Sequence, residues 1–256
     1  MNITDQQWGV VSSILPKPKS SPGKRGRPAQ DYRQVLNGIF WVCRTGAQWN
    51  ELPDKYPPYQ TCHRYFQNWV KAGVWEKLLW EIARDLRDRG KVDITECFID
   101  GTFASAKKGG FSIGKTKKGK GTKIMAIADA SGIPLSVWTT TASTHEVKLV
   151  EQTIDKRFIR EKPKRIIGDL AYDSDPLDRR LKKKKVKLIA PHKSNRKKQP
   201  TQDGRELRRY CRRWKIERLF AWIQNFRRCV VRYEVKPENY LAFVQFSCFL
   251  IMTKYF

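Results

Sequence analysis

The pattern that most restricts the fold begins at residue 96. Glu96 to Asp100 (ECFID), Thr122 to Ala128 (TKIMAIA) and Ile133 to Thr140 read as short apolar strands. Asp129-Ala130-Ser131-Gly132 forms a hairpin turn between the last two, and Gly101 to Gly121 reads as a loop dense in Gly and Lys. The period then alternates: a helix from about His145 to Phe158, a strand over Arg165 to Gly168, a helix from Ser174 and Pro176 to Lys184, and a strand over Val186 to Ala190. Three strands in succession, followed by alternating helix and strand, predict an α/β unit with one mixed five-stranded sheet and flanking helices. Arg205 to Glu234 contains no Gly or Pro and predicts one long helix, and Pro237 opens a last, apolar one.

Residues 1–90 follow a helical period instead. Thr4 and Gln7 have capping-box spacing, and that helix ends before Pro16. Asp31 caps a second helix that Gly46 stops, with Val35, Leu36, Ile39, Phe40 and Cys43 inward. A third starts near Thr61 with Tyr65, Phe66, Trp69 and Val70, and a fourth runs from about Val74 to Arg89. The chain therefore divides into a small all-helical domain, 1–90, and an α/β domain, 91–256. Between the first two helices lies Arg25-Gly26-Arg27-Pro28. Arg25 and Arg27 could enter a narrow minor groove, or simply line a solvated basic loop.

Charge narrows the partner. Lys and Arg number 52 against 25 Asp and Glu, giving +27, and the excess spans the whole chain. A polyanion, most simply nucleic acid, is implied. The six Cys form no CxxC, and the three His supply no zinc-finger spacing, which points to reduced thiols in a cytoplasmic protein. The apolar run from Leu241 to Met252 is too short to span a bilayer, so no membrane partner is expected.

Three acids stand out against this basic background. Asp100 ends the first strand and Asp169 the fourth, while Glu217 lies on the helix after the fifth. Ligands of α/β sheets collect at strand ends where strand order reverses. If strands one and four are neighbours, Asp100 and Asp169 converge there and Glu217 can reach them. Glu217 also belongs to a polar stripe of Tyr210, Arg213, Glu217, Gln224 and Arg228, spaced three, four, seven and four apart. It could be a surface acid paired with Arg213 or Arg218, or a metal-binding carboxylate on a face that tracks phosphates. Asp129 reads as a turn acid, Asp173 and Asp175 as helix-start charges, and Glu146 as structural or supporting.

These motifs together resemble the ribonuclease-H-like catalytic domain of DDE transposases, and more narrowly bacterial insertion-sequence transposases of the insertion-sequence-five family. Tyr210, Arg213 and Glu217 match a Tyr-x2-Arg-x3-Glu-x6-Lys signature, with Gln224 where Lys is usual. Phe98-Ile99-Asp100-Gly101-Thr102 is similar to the first Asp block, and Ile166-Ile167-Gly168-Asp169-Leu170-Ala171-Tyr172-Asp173 to the second. The resemblance implies metal-dependent cleavage of double-stranded DNA at terminal inverted repeats and strand transfer into target DNA. It implies Asp100, Asp169 and Glu217 holding two Mg²⁺, for which Mn²⁺ can substitute. Tyr210, Arg213, Gln224, Arg228, Arg25 and Arg27 would contact DNA, with a homodimer or larger assembly acting at the nucleoid. A nuclease of the same fold, or a non-catalytic DNA binder derived from a transposase, are the alternatives.

Overall fold

The computed structural model describes residues 2–16 and 30–255. Arg25 and Arg27 lie outside the described residues. The N-terminal part is helical: α1 (Asp5–Ile14), α2 (Tyr32–Thr45), α3 (Tyr59–Lys71) and α4 (Val74–Asp88). The capping box forms, with the Thr4 hydroxyl accepting from Gln7 N–H and the Gln7 side chain accepting from Thr4 N–H. Asp31 caps α2, and Gly46 ends it at φ +73°, where a side chain would be strained.

The helices do not form a core of their own. The last helix, α10 (Pro237–Met252), is apolar almost all round, and twelve of its residues are buried. A helix of that kind has to be enclosed on every side. Phe243 stacks on Phe66 of α3 at 4.5 Å, and Phe246 meets Trp75 of α4 at 5.0 Å. Its other side lies against the sheet, and one continuous apolar core runs from Ile3 to Met252.

The sheet contains seven strands: β1 (Cys97–Ala106), β2 (Gly114–Thr116), β3 (Gly119–Ala128), β4 (Pro134–Thr141), β5 (Arg165–Ile167), β6 (Lys187–Ile189) and β7 (Val231–Arg232). Five of them form the mixed ribonuclease-H-like core, in the spatial order β4-β3-β1-β5-β6. β1 is central, antiparallel to β3 and parallel to β5. The connections use α5 (Val150–Asp155) and α6 (Asp175–Lys183).

Three segments depart from the sequence reading. The loop expected over 101–121 is largely strand, because β1 continues to Ala106, β3 starts at Gly119, and β2 pairs with the start of β3. Its tip is gripped by fully buried Arg232, which donates to Phe111 O, Ser112 O and Thr122 Oγ1. The helix expected over 145–158 is a short turn at Glu146–Lys148 followed by α5.

The single helix over 205–234 breaks into α7 (Gly204–Leu207), a tight turn at Arg208–Arg212, α8 (Trp214–Gln224), α9 (Arg227–Val230) and β7. No Gly or Pro causes the break after α8; buried arginines accompany it. Phe226 turns extended, at φ −92° and ψ 96°, and Arg228 and Arg232 enter the interior. Their hydrogen bonds to distant carbonyls outweigh local helix propensity.

Candidate active site

Strand register brings the first two acids together. Phe98 pairs with Ile167 across parallel β1 and β5, so Asp100 and Asp169 each follow two residues beyond that pair. Side chains alternate faces along a strand, so Asp100 shares the Phe98 face of β1, and Asp169 stands in the turn just past the end of β5. Asp169 caps the turn at Leu170–Tyr172, accepting from Ala171 N–H at 2.8 Å.

α8 supplies the third acid through an arginine. Arg213 donates from Nη1 to Asp100 Oδ2 at 2.7 Å and from Nη2 to Glu217 Oε1 at 2.6 Å. The pairing of Glu217 with Arg213, which sequence offers as a plain surface pair, is thus a link from helix to sheet. The turn before α8 is anchored too. Arg209 and Arg212 both donate to Oε2 of buried Glu96, at the start of β1, at 2.7 Å. Tyr210 lies under the Arg213 guanidinium, 5.8 Å from the ring centroid.

A fourth carboxylate belongs to this neighbourhood. Glu146 Oε1 meets Lys123 Nζ at 3.1 Å, and Oε2 accepts from Tyr172 O–H at 3.0 Å. A Cβ on Gly101 would stand 2.9 Å from Glu146 Oε1, so the glycine after Asp100 lets that acid approach. Sequence spacing gives no sign of the Glu146–Tyr172 contact, which joins residues 26 positions apart. Burial pushes the Asp100 carboxyl up to about 6; the Gly101 N–H and Arg213 pull it down, while Glu146 and Asp169 push it up. Burial and the nearby Glu146 and Asp100 charges raise the Tyr172 phenol well above its ordinary range.

Other acids are engaged elsewhere. Asp129 accepts from Asp93, Ser131 and Ile133 N–H groups, as a turn acid does. Asp173 is held by His192, Lys193 N–H and Arg196, and Asp175 by Arg196. The expected polar stripe divides. Tyr210, Arg213 and Glu217 stay together, and exposed Gln224 lines a separate cleft with Arg44, Thr45, Asn225 and Arg227. Arg228 leaves the surface altogether. It is 6 % exposed and donates to Glu234 Oε1 at 2.7 Å and to the Ala47 carbonyl, because the helix ends before it.

No group of three His, Cys, Asp or Glu among the described residues stands close enough to hold a metal ion in this arrangement, and Arg213 lies between Asp100 and Glu217. The donor set still suits a hard divalent cation. It is all carboxylate oxygen, and Asp100 is crowded by two further acids that a cation would relieve.

Asp100 lies within β1 and does not end it as sequence suggested, because that strand continues to Ala106; Asp169 follows the end of parallel β5, and Glu217 stands on α8. A ribonuclease-H-like sheet with carboxylates so placed defines a nucleic-acid-processing class. The family comparison is more specific. The profile described as "Transposase DDE domain" matches residues 92–246, and one described as "Putative transposase of IS4/5 family" matches 3–79. The chain belongs to the DDE transposases of insertion sequences, and is a DNA transposase. Divalent metal use is general in that family. The chain is 32 % identical over 117 residues to "Insertion element IS402 uncharacterized 16.2 kDa protein" of Burkholderia cepacia, covering 44 % of this chain and 80 % of that one. It is 30 % identical over 139 residues to "Putative transposase for insertion sequence element IS402" from the same organism, covering 51 % of this chain and 62 % of that one. In fold it is similar to the piggyBac transposase of a synaptic complex with hairpin DNA, at TM-score 0.53 and 10 % identity, over 96 % of this chain and 71 % of that one.

Proposed function

We propose that Asp100, Asp169 and Glu217 form the acidic triad that cleaves DNA at the element ends and transfers the strand to target DNA. The carrying observation is that Asp100 and Asp169 each follow by two residues the Phe98–Ile167 pair of parallel β1 and β5, with Glu217 joined to Asp100 through Arg213. These carboxylates would hold two Mg²⁺, or Mn²⁺ in their place. When bound, the ions lower the pKa of an attacking water or 3′-hydroxyl and stabilise the leaving oxygen. The chain's own residues do the rest. Glu96 fixes Arg209 and Arg212 and so orients Arg213 and Glu217. Tyr172 and Lys123 hold Glu146 beside Asp100.

The +27 charge supports double-stranded DNA as the partner, through the terminal inverted repeats and the target. Tyr210, Arg213 and Gln224 lie on exposed or half-exposed α8-side surface and suit phosphate contact. Residues 1–90, Arg25 and Arg27 included, would recognise the element ends, and 91–256 would carry the chemistry. An element has two ends, each with its own scissile bond, which supports a homodimer or larger assembly acting on nucleoid DNA in the cytoplasm.

The test is an in vitro reaction with labelled element ends. Asp100→Asn, Asp169→Asn and Glu217→Gln should each abolish cleavage and joining, whereas Asp129→Asn, where folded, should leave both. Full activity in any triad variant rejects the assignment. Cleavage without joining in the wild type points to a nuclease instead.

A further inference from the structure

We propose that a second cleft, beginning beside Asp169 and running to the β2–β3 hairpin, holds a DNA backbone by its phosphates without reading sequence. The proposal rests on the active-site reading only for where that DNA leads. The cleft measures about 730 Å³, and Ala171 and Glu146 form its end nearest the carboxylates. Four separate segments each contribute a lysine: Lys115 from β2, Lys123 from β3, Lys148 from the turn after β4, and Lys193 from the stretch after β6. The only acid in the lining is Glu146, and its carboxylate is engaged by Lys123 and Tyr172. Lys115, Lys148 and Lys193 are exposed, and none has an acidic side-chain partner among the described residues.

Several unpaired ammonium groups facing one concave surface repel each other and focus a positive field, which an anion relieves. Hydroxyls of Ser143 and Thr144 add neutral donors. Among the described residues the lining contains no Arg, Asn, Gln, Phe, Tyr or Trp, and its one ring is the imidazole of His145. Lysine ammoniums bind phosphate as point charges, and Ser and Thr hydroxyls also contact phosphate oxygens, so this chemistry fits a nucleic-acid backbone.

The walls are held in place beforehand. A Cβ on Gly114 would fall 2.3 Å from Thr141 Oγ1, so glycine lets β2 sit tight against the turn after β4. Lys123 Nζ donates to Thr144 O at 2.9 Å, tying that turn to β3. Lys193 N–H donates to Asp173 Oδ2 at 3.0 Å, and His192 and Arg196 clamp the same acid. The lysines therefore stand on anchored backbone, which lowers the ordering cost of binding.

The experiment uses the full chain without added metal and two duplexes of unrelated sequence. A triple variant, Lys115→Ala with Lys148→Ala and Lys193→Ala, is compared with a control triple at exposed Lys162, Lys182 and Lys183, also changed to Ala. Losing three phosphate contacts should reduce the slope of log affinity against log salt by about 2.7. The loss should be equal on both duplexes, and the control should keep the wild-type slope. Equal loss in both triples, or loss on one duplex alone, overturns the proposal. Binding without added metal requires no chemistry at the carboxylates. A wrong triad assignment would therefore appear only in the cleavage reaction and leave this result standing.

Discussion

Asp100 Oδ2 accepts a hydrogen bond from Arg213 Nη1 at 2.7 Å, and this contact fixes the angle at which α8 approaches the sheet. An exposed i,i+4 pair such as Arg213–Glu217 is worth only about 0.3–0.5 kcal/mol alone. Here the same fork serves both carboxylates, and the Arg213 side chain is only 20 % exposed. Arg213→Ala should fold but lose about 10²-fold or more in strand cleavage through misplacement of Glu217. Arg213→Lys should not restore it, because one ammonium lacks the planar two-donor fork. Initial cleavage rates decide this, and a fully active Lys variant would mean that charge alone matters.

Arg228 gives the opposite expectation. Its ion pair with Glu234 is enclosed, with side chains 8 % and 6 % exposed. Removing one partner leaves a buried charge unmatched, at a cost of about 3–5 kcal/mol. Arg228→Ala should therefore show a large fall in urea midpoint, while its folded fraction binds duplex DNA like wild type. Unchanged stability with weakened DNA binding would return Arg228 to the DNA-facing surface.

Glu146 should behave as a positioning residue. Glu146→Ala strands the Tyr172 hydroxyl and leaves the Lys123 ammonium only the Thr144 carbonyl, costing about 1–3 kcal/mol. Glu146→Gln keeps an acceptor for Tyr172 and should recover most of that stability. If Glu146 only supports the fold, the Gln variant should also recover cleavage in full. If its charge helps arrange Asp100, cleavage should stay depressed in both variants at saturating DNA.

Much of this was legible in the residues. The five core strands and the helical N-terminal part follow from apolar periodicity, and the placement of Asp100 and Asp169 from strand adjacency. What could not be read depends on partners far away in sequence. Arg232 organises Phe111, Ser112 and Thr122 across more than a hundred residues, turning an apparent Gly/Lys loop into a hairpin. Arg228 and Arg232 are buried where a helix that local propensity favours breaks. The Glu146–Tyr172 contact likewise has no periodic signature. The separateness suggested by the 1–90 pattern also hid the way α10 completes that region's core, through Phe66–Phe243 and Trp75–Phe246.

The β3–β4 turn supplies a pH prediction away from the carboxylate site. Asp129 is fully buried, and burial raises its carboxyl to about 6 from 3.8, although three backbone N–H groups pull the other way. The folded value lies above the unfolded one. The stability Asp129 adds is therefore complete below about pH 4 and is lost as pH rises through about 6. Asp129→Asn cannot ionise, but its amide presents a donor where Asp93 N–H or the Ser131 and Ile133 N–H groups need an acceptor. The variant should thus be less stable throughout, with a flatter profile. The stability of wild type minus variant should shrink by about 2–3 kcal/mol between pH 4 and pH 7. Urea unfolding of both proteins across that range measures the difference directly. A difference that grows with pH would mean that the three N–H groups outweigh burial and that Asp129 is charged at lower pH than its surroundings indicate.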